Sequence, residues 1–314
     1  MLSRRHLRVK VSQVLYTCEM DKDVKLPELD RYLHHLLSKS EELYYLILIY
    51  LMDITQYSIL YKEKKSSKLL ATKEDLNTDD TLSNNPIIIY LQQSAAFQSH
   101  IKRLKIIPMV DSIEVKRLFE DLVHKDKYKE YILKSDKTIE DEKGILIYII
   151  KKIIDNSEDL FMHLDAGFLN LSDDFHVLNF LLQKDVEKFT TEHTNNFIFS
   201  VESDKEDLDY CKMLLELTYK NQKELEKKIE PKLKGWDMDR IAIIDMVLLK
   251  MAVAEFLYFP FIPVKVTMNE YIEIAKNYST PRSKDFINGL LDKLMHDLKT
   301  NGEIVKKGRG LVDH

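Results

Sequence analysis

The chain has 314 residues, 45% hydrophobic and 32% charged, with a formal net charge of −5. That length can bury one large core or two, and the acidic balance excludes nonspecific polyanion binding over the whole surface. Glycine and proline number seven each, and no glycine precedes Gly144. This excludes Gly-rich phosphate loops from the first half and argues against sandwiches and barrels, whose turns need glycine; an all-α fold of long helices remains.

The first predicted helix runs from Ser3 to Met20, with Leu7, Val11, Val14, Leu15 and Cys18 on one face. A second follows Pro27 and continues to about Tyr61. Residues 62–85 are polar and read as a long loop, and Pro86 restarts a series of helices reaching about Phe189. Two apolar stretches bear on a membrane reading. The run 43–52 (LYYLILIYLM) lies between Glu42 and Asp53, too short to span. The run 241–259 is longer but carries Asp245, Lys250 and Glu255, and is apolar nearly all round, as a central bundle helix is. No apolar segment of signal-peptide type follows the basic N-terminus. Cys18 and Cys211 form no CxxC pair, which fits reduced, intracellular thiols.

A weak repeat appears at a spacing of 65. Ile149 and Ile150 align with Leu214 and Leu215, Asn156 with Asn221, Leu160 with Leu225, Leu171 with Trp236 and Asp174 with Asp239. Each copy reads helix, Asn-centred break, helix. Farther on, Thr267 and Glu270 have the spacing of a capping box, and Thr280-Pro281 that of an N-cap with proline at the first helical position. Phe286, Ile287, Leu290, Leu291, Leu294 and Leu298 then repeat as one core face ending at Gly302, with Gly289 tolerable in mid-helix if another helix packs closely. Lys306, Lys307 and Arg309 make a basic tail.

Enzyme signals are absent. The ten histidines show no HExxH and no zinc spacing with cysteine, and no carboxylate pair stands out for acid–base work. No catalytic residue, metal or cofactor is expected. The informative patch is the first helix. Arg4, Arg5, His6, Arg8 and Lys10 occur without an acid among the first ten residues. On a helix, Arg5, Arg8, Ser12 and Tyr16 share one side, a basic stripe ending in an aromatic ring. Guanidinium groups bind phosphate, and tyrosine can stack on an unpaired base. Basic residues at a helix N-terminus oppose the macrodipole, a mild local cost that favours a function.

Arg4-Arg5-His6-Leu7-Arg8 followed by Gln13-Val14-Leu15-Tyr16 resembles the RRxxR…QxLY first helix of the NusB family. The runs DMVLLKMAVAE (245–255), PVKVTMNE (263–270), EIAK (273–276) and FINGLLDK (286–293) resemble that family's later helices in order and spacing. The resemblance covers about residues 1–23 and 204–300; residues 24–203 then form a helical insertion containing the polar loop, and 301–314 the basic tail. It implies helical bundles and a transcription antitermination or termination factor that binds boxA-type RNA of ribosomal RNA transcripts with ribosomal protein NusE. RNA polymerase in its elongation complex is the wider partner, the protein is cytoplasmic, and no membrane is involved. The implied RNA-binding residues are Arg4, Arg5, His6, Arg8, Gln13 and Tyr16, and the implied partner contact is Asp245. His6 stands where the family often has arginine, Asp245 replaces a glutamate and Lys250 an arginine. The alternative is a helical protein–protein scaffold without its own RNA site. An RNA cytosine methyltransferase, which can carry the same module, is set aside because no Gly-rich nucleotide-binding domain follows.

Overall fold

The computed structural model describes residues 2–68, 80–190, 199–201, 203–233 and 241–312. These residues hold fourteen α-helices and no strand, the all-α architecture that glycine depletion implies. Two compact units form, one from Ser38–Glu202 and one from Leu2–Leu37 with Ser203–His314.

Helix α1 (Arg4–Met20) starts where Ser3 accepts a hydrogen bond from the His6 amide, one of the orphan donors that every helix start leaves. Helix α2 (Leu26–Ser66) contributes its first turns, through Leu37, to the unit that holds α1, and the remainder to the central unit. The sequence reading ends this helix near Tyr61; it continues because Lys64 and Lys65 sit in its last turn, where cations favour the dipole. Of the expected loop, residues 69–79 lie outside the described residues.

In the central unit, α2 is the core. Residues 43–52 are all buried, so an amphipathic pattern is absent and the helix is apolar all round. By length and composition α2 could cross a membrane, yet 72% of its apolar window is buried inside the protein. Its polar atoms reach outward to partners. Ser40 donates to Asp174, Tyr44 to Asp185, and Tyr45 to the Phe199 carbonyl, while the Tyr50 oxygen accepts from the Asp111 amide. The surrounding helices are α3 (Pro86–Gln93), α4 (Ala95–Leu104), α5 (Ser112–Val123), α6 (Asp126–Leu133), α7 (Ile139–Tyr148), α8 (Glu158–Asp165) and α9 (Leu171–Lys188). A π-helical stretch, Ile149–Ile154, extends α7. Asn85 ties two of these elements together. Its Oδ1 accepts from Ile87 at the start of α3, and its Nδ2 donates to the Glu142 side chain at 2.8 Å and the Glu142 carbonyl at 3.0 Å.

The other unit adds α10 (Lys205–Lys220), α11 (Gln222–Ile229), α12 (Ile243–Tyr258), α13 (Val264–Tyr278) and α14 (Ser283–Thr300). Helix α12 is its centre, buried from Val247 to Phe256, and α10, α11, α13 and α14 all pack on it. Helix α1 lies against α10, α12 and α13, so its apolar face is used inside this unit.

Several local expectations are corrected. Helix α13 begins at Val264, a turn before Thr267; Thr267 is buried within it and donates back to the Pro263 carbonyl. Helix α14 begins at Ser283, not Pro281, with Thr280 turned to bond the Ser283 hydroxyl. Gly289 is exposed, and a Cβ there would meet nothing within 4 Å, so close helix packing is not its reason. The repeat survives as local form. Asn156 follows the π-helical stretch and donates to the Lys151 carbonyl ahead of α8; Asn221 follows α10 and donates to the Leu217 carbonyl ahead of α11. Trp236 and Asp239 lie outside the described residues.

Candidate nucleic-acid interface

Three arginines in the first turns of α1 would be a local electrostatic liability. The partner helices supply the missing carboxylates. Arg4 donates to Asp207 at 2.7 Å and Glu206 at 2.6 Å, both in the first turn of α10. There the acids suit the positive end of their own helix as well as the arginine. Arg5 grips Glu270 of α13 through two parallel bonds of 2.8 Å, the fork geometry that only a guanidinium offers a carboxylate.

Arg8 is different. It pairs bidentately with Glu255 of α12, and the side chains are 3% and 0% exposed. The guanidinium lies between the rings of Tyr210 and Tyr271, 5.4 and 5.8 Å from their centroids, and Glu270 stands 3.7 Å away. Burial opposes the arginine's charge, but the Glu255 charge and hydrogen bonds outweigh it and hold Arg8 above the ordinary arginine range. Burial likewise raises both phenols. Lys306 completes the cluster from the tail by donating to the Glu255 and Phe259 carbonyls at the end of α12; burial lowers its pKa to about 8.

The expected stripe on α1 therefore divides. Arg5 and Tyr16 are 48% and 38% exposed and Arg4 is 37% exposed, so these three face solvent at least in part. Gln13 is half-buried. His6, Arg8 and Ser12 are buried, so the reading that puts Arg8 and Ser12 on an open basic side is corrected. A helical wheel of α1 cannot register Glu255, which lies 247 residues away. The residues that sequence reasoning missed are Glu255, Glu270, Tyr210 and Tyr271. One signal was available: Glu255 is the one charged residue of the apolar stretch 251–259, and a buried acid there needs a cation nearby.

Asp245, in the first turn of α12, is buried; its Oδ2 accepts from Ser283 at 2.6 Å and joins α12 to the start of α14. Its other oxygen has no hydrogen-bond partner among the described residues. Lys250, on the same helix, is buried between Glu19 of α1 and Glu226 of α11, a fourth link that fastens α1. Cys18 and Cys211 are both buried as free thiols, and burial pushes Cys211 up to about 12. Neither is a nucleophile at neutral pH. Among the described residues no group of three or more His, Cys, Asp or Glu side chains is arranged to hold a metal ion.

Comparison with known proteins gives this arrangement a family. The NusB family model matches residues 176–296. The chain is 43% identical over 112 residues to the transcription antitermination protein NusB of Salinibacter ruber, covering 36% of this chain and 70% of that protein. It is 41% identical over 105 residues to the protein of the same name from Chloroherpeton thalassium, covering 33% and 50%, and 36% identical over 114 residues to that of Acetivibrio thermocellus, covering 36% and 77%. No solved structure gave a significant match. The chain belongs to the NusB family. Helix α1 precedes the stretch that the family model matches, and its ion pairs with Glu206, Asp207, Glu255 and Glu270 tie it to residues within that stretch.

Proposed function

We propose that this chain is a non-catalytic transcription antitermination factor of the cytoplasm. It binds single-stranded boxA-type RNA together with ribosomal protein NusE, in the elongation complex of RNA polymerase. The observation that carries this reading is the family relationship combined with the rim of α1, where Arg4 and Arg5 stand at the solvent edge in pairs that a phosphate can replace. Arg4 and Arg5 are 37% and 48% exposed, so solvent screens their pairs, and an RNA phosphate offers each guanidinium the same fork geometry in exchange for a carboxylate. Tyr16, exposed on the same helix, offers a stacking face. Gln13 lies between the rim and the core and contacts RNA from the edge. His6 and Arg8 serve the RNA site from beneath, by holding α1 in place. NusE docks at the N-terminal end of α12, at the exposed Ile243, and Asp245 serves that surface from beneath by fixing the end of α12 to Ser283.

The scaffold reading has one observation in its favour: Arg4, Arg5 and Arg8 all have carboxylate partners within the chain. A salt titration separates the two. RNA binding to single strands weakens with a log–log slope of about −0.7 per phosphate neutralised, so two exposed arginines give about −1.4. Arg4→Glu with Arg5→Glu should remove that contribution to the slope, and Arg4→Gln with Arg5→Gln, which places no new acid against Glu206, Asp207 or Glu270, should do the same with a smaller change in melting temperature. A wild-type protein that binds no RNA with or without NusE supports the scaffold instead.

A further inference from the structure

After Gly302 the chain folds back onto the connection between α12 and α13, and the fit is tight. Lys306 Nζ donates to the Phe259 carbonyl at 2.9 Å and the Glu255 carbonyl at 3.2 Å, and the Lys307 amide donates to the Pro260 carbonyl at 2.9 Å. The Gly310 amide closes a short turn, Gly308–Leu311, on the Lys307 carbonyl. A Cβ on Gly310 would lie 2.0 Å from the Pro260 carbonyl oxygen, so no side chain fits there. Gly308 takes φ +52°, and a Cβ on it would come 3.5 Å from the Phe261 ring.

These contacts fix the backbone of the turn and leave three groups outside. The Phe261 ring is 65% exposed, and Lys307 and Arg309 are exposed. Neither Lys307 nor Arg309 makes a side-chain hydrogen bond or ion pair with any described residue, in contrast to the arginines of α1. A core does not need this ring, and a fold gains nothing from two exposed cations on either side of Gly308. A flat apolar face beside two cations is the chemistry that single-stranded RNA requires: the ring stacks on an unpaired base and the cations take the neighbouring phosphates. A preformed turn also spares the cost of ordering these groups at binding.

We propose that Phe261, Lys307 and Arg309 form a second contact for single-stranded RNA, separate from the α1 rim. The proposal rests on the RNA-binding reading above and extends it to a second surface.

The test uses the full chain and a fluorescein-labelled, boxA-containing single-stranded RNA of about 20 nucleotides, longer than the roughly 4–16 that one small domain covers. Anisotropy is followed from low to moderate salt for wild type, Lys307→Glu with Arg309→Glu, Phe261→Ala, and Arg4→Glu with Arg5→Glu. The tail charge reversal should weaken binding roughly tenfold and reduce the salt slope by about 1.4, two phosphates' worth. Phe261→Ala should weaken binding roughly tenfold and leave the slope unchanged, because stacking releases no counterions. All substituted side chains in the tail are exposed, and unchanged melting temperatures check that the fold persists. If both tail variants bind as wild type while the α1 reversal weakens binding, the tail proposal is overturned and the α1 site stands. If wild type binds no RNA even at low salt, both readings fall.

Discussion

Removing the carboxylate from Glu255 tests what holds α1 on its bundle. In Glu255→Met the Arg8 cation stays between Tyr210 and Tyr271 with only Glu270, 3.7 Å away, to answer its charge. Breaking a buried pair by deleting one partner costs about 3–5 kcal/mol, because a desolvated charge is left behind. For a unit of this size each kcal/mol moves the melting temperature by roughly 2–4 °C, so a fall on the order of 10 °C is expected. Arg8→Met should cost a similar amount by stranding Glu255, which is fully buried. The double variant replaces the pair by two apolar side chains of similar length, and such replacements are often neutral. It should melt within a few degrees of wild type. The assay is thermal unfolding of all four proteins by circular dichroism, read as a double-mutant cycle. Single variants that each lose under about 1 kcal/mol, or losses that simply add in the double variant, would refute the assignment of this pair as the clamp.

Other outcomes follow from the same contacts. Gly289→Ala should raise stability by up to about 1 kcal/mol, since the position is helical, exposed and open; a loss in the melting experiment would contradict this. Asp245→Lys should lower the melting temperature by severing the bond to Ser283 and burying an ammonium, and a stable variant with weakened NusE binding would instead make Asp245 a direct contact. Asn85→Ala should cost about 2 kcal/mol in the central unit, through the lost cap of α3 and the lost bonds to Glu142, measured by chemical denaturation. Lys306 titrates near 8 when folded and near 10.5 when unfolded, so the unfolded chain binds more protons between those values and stability rises with pH there. Wild type should therefore gain on Lys306→Met as pH climbs from 8 to 10.5; a constant difference across that window would remove the buried, titrating lysine.

Much of this fold is legible in one dimension because helices bury stripes. The core face of α14 and the all-round apolar character of α12 follow from spacing alone, as does the docking face of α1. What sequence reading misses is long-range charge. Arg8 and Glu255 stand 247 positions apart, so a wheel drawn for α1 puts Arg8 on an open side when it belongs to the core. Glu270 shows the same competition. Its spacing to Thr267 fits a capping box, but α13 starts a turn earlier and Arg5 takes the carboxylate instead. Gly310 and Gly308 are only two glycines in a basic tail until the Pro260 carbonyl and the Phe261 ring are seen against them.

The central claim, a NusB-family RNA-binding factor that works with NusE, meets its most direct test in one binding measurement. Labelled boxA RNA and a scrambled RNA of equal length are titrated with the full chain, alone and with saturating NusE. Weak, salt-sensitive binding alone and tighter, boxA-selective binding with NusE is the expected result, as two linked contact surfaces require. Equal affinity for both RNAs with NusE present, or no binding to either, would contradict it.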